Sequence, residues 1–435
     1  MKSANTITTV SDNPKAVLTA INAQMLANNP GFAAYLPADP TVDGALKEFG
    51  TAVNTYQPVQ NEFIDTLVNL IGRIWIPQRI FTNPLRVFKK GILEYGDTIE
   101  IAYTQRARMH HFDPVQAETE WMKREIPTVF SVYARRDYMP MYKATISDDQ
   151  LRAAFMGWAQ LSDFISSVFN SMYTAMEDDE YASMLKLLAN YAADGMFAVQ
   201  KIPEVTDKDT AAQALAVIKG VSNRLVFMSD RYNGLGVITN TPREKQVLLV
   251  DATFDALLDV QGYATLFNLE PARAQYRKVM IGEFPDSMPN VHAVLVDEDF
   301  YCVWECLRKF TRDMNGQGLY WQYWAHLWEI LAVCPFANAI AFTTEETTVT
   351  GVTVTPATQA IAAGGEGKVT ATVAGTGMVP NLVTWTISGN TDAATEIAPT
   401  GTIKLGTAET GTITVTATSK FDTAKSGTAT VTVSA

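Results

Sequence analysis

The sequence predicts a chain of mixed α+β architecture followed by an all-β sandwich, and three observations carry that reading. Apolar residues recur at helical spacing through one long stretch of the first half. Short apolar runs alternate with amphipathic segments in the middle. Beyond Val349 the composition turns to Thr, Ala, Gly and Val in short alternating runs. At 435 residues the chain exceeds what one core supports, so two or three domains are expected. With 47% hydrophobic and 18% charged residues it falls among folded globular proteins.

The opening residues, MKSANTITTVSDNPK, lack the apolar stretch of a signal peptide, and no run approaches the ~18 apolar residues of a membrane span. Neither export nor anchoring is expected. From Gly96 to Met141, TIEIAYTQRA and TVFSVYARRDYMPMY read as extended segments flanking a charged stretch from His110 to Pro127, which predicts a hairpin with a long, projecting middle. Ser147 to Gly195 carries the strongest helical signal: Leu151, Phe155, Trp158, Leu161, Ile165, Val168, Phe169, Met172 and Met176 lie on one stripe. A long, partly buried helix is expected, with Ser147 and Gln150 as a capping box and Gly195 as the left-handed terminator; a break into two pieces at Glu177 to Glu180 is the alternative.

From Phe197 to Phe342 the pattern is α+β, with QVLLVD and AVLVD as strands and DKDTAAQALAVIKGVSNRL and DEDFYCVWECLRKFTRDM as amphipathic helices. No internal repeat is evident. Near Thr343 to Val349 the aromatic-rich sequence gives way to GVTVTP, KVTATVAG, LVTWTISG, GTIKLG, GTITVTATS and GTATVTVSA. These predict an antiparallel sandwich of about seven strands. Trp385 is expected to plug its core against Val373, Ile387, Ile403, Val415 and Val431.

Chemistry is sparse. His110, His111 and Asp113 form a trio, but adjacent strand residues face opposite ways and share one ion poorly. Cys302, Cys306 and Cys334 lie on apolar stretches; the first two are one helical turn apart with no second pair or nearby His to complete a zinc set, so reduced packing thiols are expected. His326, within LYWQYWAHLWEIL, reads as a hydrogen-bonded core histidine. Glu177, Asp178, Asp179 and Glu180 fan around a helix and read as a solvated acidic patch. No phosphate-cradling loop, nucleophile elbow or zinc-peptidase pattern appears, so no catalytic residue, cofactor or metal site is expected.

Charge is distributed unevenly. The net charge of -12 excludes a dedicated nucleic-acid binder. Yet Arg86, Lys89, Lys90, Arg106, Arg108, Lys123, Arg124, Arg135 and Arg136 crowd the hairpin region. One part of a subunit thus suits a different part of its neighbour, and Arg106, Arg108, Lys123, Arg124, Arg135 and Arg136 are the assembly candidates.

The part of the chain from Met1 to Thr344 resembles the major capsid protein of the small, protein-primed podophages of the salasvirus type (Salasmaviridae). The resemblance is carried by VQNEFIDTLVNLIGRIWI (Val59 to Ile76), NPLRVFKKG (Asn83 to Gly91), GDTIEIAYT, DDEYASMLKLLANYAADGMF, AVLVDEDF and GLYWQYWAHLWEILAVCPFANAIAF (Gly318 to Phe342). It implies the Hong Kong 97-type capsid fold over residues 1–344, with an N-terminal arm, an extended loop at about 96–141 and a spine helix at about 147–195. An axial region at about 197–330 follows, and FANAIAF returns to the peripheral sheet. Residues 349–435 resemble a bacterial immunoglobulin-like domain of group 2. The implied function is a major capsid protein, not an enzyme. Its copies form pentamers and hexamers of an icosahedral or prolate virion shell, with a scaffolding protein and a portal, in the host bacterial cytoplasm. The shell encloses double-stranded DNA without sequence-specific binding, and the terminal domain braces capsomers or weakly binds host-envelope glycans.

Three other readings compete. A cell-surface adhesin calls for a signal peptide and tandem Ig-like copies. An encapsulin-like compartment shell protein is not expected to carry this terminal domain. A carbohydrate-active enzyme needs a convergent carboxylate pair.

Overall fold

In the computed structural model the described residues are 14–42, 44–71, 81–93, 96–107, 109, 129–147, 149, 155, 158–259 and 277–434. Three helices lead: α1 (Pro14–Asn28), α2 (Ala45–Thr55) and α3 (Gln57–Ile71). Their apolar sides meet around Phe49 and Phe63, whose rings pack on Phe155 with centroids 5.9 and 5.2 Å apart. Four strands follow: β1 (Lys89–Ile92), β2 (Thr98–Thr104), β3 (Val129–Arg135) and β4 (Met141–Ser147). β2 and β3 pair antiparallel, from Thr98 opposite Arg135 to Thr104 opposite Val129. Most of the expected projecting middle, with Arg108, His110, His111, Asp113, Lys123 and Arg124, lies outside the described residues.

Helix α4 (Trp158–Ala193) has 36 residues and spans about 54 Å at 1.5 Å per residue. It passes unbroken through Glu177 to Glu180, one helix there and not two pieces. Ser147 closes β4 opposite Tyr320, and its expected capping partner Gln150 lies outside the described residues. At the far end Gly195 takes φ +66. Its N–H donates to Ala192 (2.9 Å) and that of Met196 to Tyr191 (3.1 Å), the paired bonds that satisfy a helix's last carbonyls.

The chain continues through β5 (Ala198–Lys201), α5 (Lys208–Leu225), β6 (Gln246–Asp251), α6 (Ala252–Leu258), β7 (Arg277–Ile281), β8 (Val291–Asp297), β9 (Tyr301–Asn315), β10 (Tyr320–Val333) and β11 (Ala339–Thr343). α5 starts at a capping box, Asp207 accepting from Thr210 N while Thr210 Oγ1 accepts from Asp207 N. β5, β11, β8, β6 and β7 form one sheet in that order. Side chains alternate across it, so Leu249, Val294, Val296 and Ala341 join one core while Leu248, Val250, Leu295 and Phe342 join another against α5. Each fully buried Leu, Val or Phe contributes about 1.5–3 kcal/mol to holding those layers.

One expectation is corrected here. DEDFYCVWECLRKFTRDM is not a helix: Tyr301–Asn315 is strand β9, paired antiparallel along β10 from Tyr301 opposite Val333 to Asn315 opposite Tyr320. A long aromatic partner strand overrides a weak helical period, since Tyr, Trp, Val, Phe and Thr fit a pleated surface. FANAIAF lies outside the sheet that holds β9 and β10, whose order is β1-β9-β10-β4. It supplies β11, parallel to β5 and antiparallel to β8 in the five-stranded sheet.

Nine further strands complete the described chain: β12 (Thr348–Thr355), β13 (Thr358–Ala362), β14 (Glu366–Lys368), β15 (Thr370–Thr376), β16 (Val383–Ser388), β17 (Glu396–Ile397), β18 (Thr402–Lys404), β19 (Thr412–Ser419) and β20 (Ser426–Ser434). They form a pair, β12-β15, a four-stranded sheet, β13-β20-β19-β16, and a small sheet, β14-β18-β17. Val354, Ile361, Ile403, Val415 and Val431 are buried between them. Trp385 is half-buried, packed on that core with one side and lining a cavity with the other, so it is not a fully enclosed plug.

Candidate assembly surface and a buried joint

The β2-β3 hairpin has two unlike faces because strand residues alternate. Ile101, Tyr103, Phe130 and Val132 pack onto the body. Tyr103 stacks on Phe336 at 5.6 Å and donates its hydroxyl to the Ile238 carbonyl at 2.6 Å. The opposite face leaves Val129 and Tyr133 exposed, and Met109 beyond it is 96% exposed.

Of the assembly candidates, Arg106 and Arg135 stand exposed on this hairpin. Arg136 turns inward, its guanidinium 4.8 Å from the Trp328 ring centre, and its backbone N–H donates to Asp97. Arg108, Lys123 and Arg124 lie outside the described residues. Lys89 and Lys90 are occupied within the chain, Lys90 by Asp299 at 2.5 Å.

Lys89 marks a joint that sequence reasoning missed. Its ammonium lies 2.7 Å from Glu180 Oε2 on α4 and 3.1 Å from Glu329 Oε1 on β10. Both carboxylates are buried, at 1% and 0% exposure, which corrects the solvated patch expected at Glu177 to Glu180: only Asp178 and Asp179 are exposed. Helical geometry explains the split, because Glu177 and Glu180 share a face three residues apart. Asn83 ties to that face, donating Nδ2 to Glu180 at 3.1 Å and its backbone N–H to Glu177 at 3.0 Å. Glu329 Oε2 is buried with no hydrogen-bond partner. Burial and the neighbouring Glu180 push the Glu329 carboxyl up to about 7, against the pull of Lys89. Burial also raises Glu180, opposed by Lys89. Burial lowers the Lys89 ammonium less than the two carboxylates raise it. A single acid inside LYWQYWAHLWEIL, on the strand's buried side, was the available signal.

The remaining candidates are structural in placement. His326 lies half-buried on β10 with its ring 3.4 Å from Thr311 Oγ1. The three cysteines are free thiols, Cys334 buried and the others half-buried on β9. Among the described residues no group of His, Cys, Asp and Glu is placed to hold a metal, and no helix is long and apolar enough to cross a membrane.

Residues 32–343 match the Phi29-like phage major capsid protein family, from the N-terminal helices to the last residue of β11. The chain belongs to that family. Relatives within it include the major capsid protein of Bacillus phage PZA, 34% identical over 373 residues, covering 85% of this chain and 82% of the relative. That of Bacillus phage GA-1 is 35% identical over 328 residues, covering 74% and 68%. A solved capsid structure, that of Staphylococcus phage Andhra, superposes with a TM-score of 0.50 at 12% identity, covering 61% of this chain and 85% of that one. The Phi29-like capsid protein described here therefore shares the mixed helix-and-sheet, Hong Kong 97-like fold of phage shells. It is a structural protein of the virion that assembles into multimeric shells.

Proposed function

We propose that copies of this chain close into an icosahedral or prolate shell of pentamers and hexamers, gathered on a scaffolding protein around a portal in the host cytoplasm. That shell encloses double-stranded DNA. The observation that carries this reading is the two-faced hairpin: one side is bound to its own body, while Val129, Tyr133, Arg106 and Arg135 are left for another chain. A net charge of -12 leaves acidic surface both for that basic face to meet on a neighbour and to keep enclosed DNA mobile.

Within this reading residues 1–344 make the shell domain, with the extended loop, spine helix and axial region in chain order, and 349–435 make a bacterial Ig-like sandwich on the outer surface. Bracing of capsomers is favoured over adhesion to host-envelope glycans because the C-terminal strands are held to the body: Lys420 Nζ bonds both the carboxylate and the carbonyl of Asp230, each at 2.7 Å. The test is co-expression of the full chain with its scaffolding protein, followed by negative-stain microscopy. Closed shells are the expected result; monomers or dimers alone, with scaffold present, contradict it.

A further inference from the structure

We propose that Glu180 and Glu329 together carry one exchangeable proton, lodged on Glu329, and that the joint they make through Lys89 between the β9-β10 hairpin and helix α4 loosens when the proton leaves. Three facts place the proton. Two buried carboxylates contact the single ammonium of Lys89, so the cluster carries a net negative charge whenever both are ionised. Glu180 spends both oxygens on donors, Lys89 and Asn83. Glu329 spends one, and its Oε2 is sealed from water without a donor, a state costly for a charged oxygen and far cheaper for a protonated one.

Among the described residues no second cation bonds Glu329: Arg308 is engaged by Glu305, and Arg136 lies over the Trp328 ring. From β1 comes Lys89; from α4 come Glu177, Glu180 and, exposed beside them, Asp179. From β9 come Glu305, directly opposite Glu329, and Arg308, which Glu305 engages at 2.9 and 3.2 Å. Cys306 and the phenol of Tyr138 complete the set, the Tyr138 carbonyl accepting from Glu329 N at 2.9 Å. Acid therefore outnumbers base around the orphan oxygen.

Position gives the proton its effect. The β9-β10 register slips between Trp328 and Glu329, so Glu329 sits at a bulge where the hairpin's two halves meet. Leu331 and Val303 beyond it belong to the core around α4 and the five-stranded sheet. Tyr323 and Trp321 on the other side belong to the core of the N-terminal helices. Ionising both carboxylates sets two like charges against one lysine at that hinge.

The experiment is hydrogen–deuterium exchange of the full chain at pH 6 and pH 8, corrected for intrinsic rates and read over α4 and β10. With Glu329 at about 7 when closed and near the ordinary ~4.3 when open, the closed joint should open about tenfold more often at pH 8. Glu329→Gln should abolish that difference, and Glu180→Gln should shift it to lower pH by leaving Glu329 alone with Lys89. Equal corrected exchange at both pH values in the unmodified chain overturns the proposal, as does a Glu329→Gln chain that keeps the full difference. Should either variant fail to fold, the unmodified chain's profile still decides.

Discussion

The backbone N–H of Asn381 donates to the carbonyl of Gly195 at 2.6 Å, so the end of helix α4 is completed by a residue from the C-terminal strands' own connections. Gly195 also has no room for a side chain: a β-carbon there would lie 2.8 Å from Asn381 Cβ and 2.9 Å from its nitrogen. Gly195→Ala is expected to cost about 1–2 kcal/mol for the left-handed backbone alone, and more for the collision. A thermal midpoint unchanged from the parent would contradict this account of the contact.

Lys420 is 9% exposed at its side chain and reaches Asp230 across the same boundary. Lys420→Met removes two bonds to a charged group while leaving Asp230 half in water, so a loss of about 1–3 kcal/mol is expected. Urea unfolding measures it, and limited proteolysis should cut the Asp230 loop faster.

Glu409 accepts from Thr391 N, Thr391 Oγ1, Asp392 N and Thr395 Oγ1. The Thr391 backbone N–H, then the Thr395 hydroxyl, hold its carboxyl down at about 2. A carboxyl lowered on folding stabilises above its unfolded value of 4.5, and that gain is lost as pH falls from there towards 2. Unfolding of the C-terminal strands should steepen across that window in the parent chain and flatten in Glu409→Gln, as followed by amide exchange over β16 and β19.

Tyr103→Phe keeps the stack on Phe336 but removes the bond to Ile238. About 1 kcal/mol is expected, confined to faster amide exchange in β2 and β3.

Reversing the exposed hairpin charges, Arg106→Glu with Arg135→Glu, should leave circular dichroism unchanged and sharply reduce shell yield with scaffold present. Normal yield would remove these two residues from the assembly surface.

Legibility in the sequence followed how local each signal was. The β2-β3 alternation, the QVLLVD and AVLVD strands, helix α5 and the Gly195 terminus all rest on neighbours within a few residues, and each stands where the pattern put it. β9 was misread because its partner begins beyond a turn at Gly316 to Gly318, and pairing with β10 decides its shape. The joint was invisible for the same reason: Lys89, Glu180 and Glu329 are about 90 and 150 residues apart, and no local spacing announces a contact of that range. Fold class was carried by repeated local patterns, whereas the assembly arginines rested on composition alone, and Arg136 shows what composition misses by facing Trp328.

Only residues 344–347 separate β11 from β12, a leash of about 14 Å even at full stretch. It is also tied down: Thr344 N donates to Asn290, Glu346 pairs with Lys201, and Thr347 Oγ1 donates to Met378. The last strands are consequently kept at one bearing on the body of each copy. In a multimeric shell that geometry repeats the C-terminal strands at intervals dictated by the container instead of by a supple stalk.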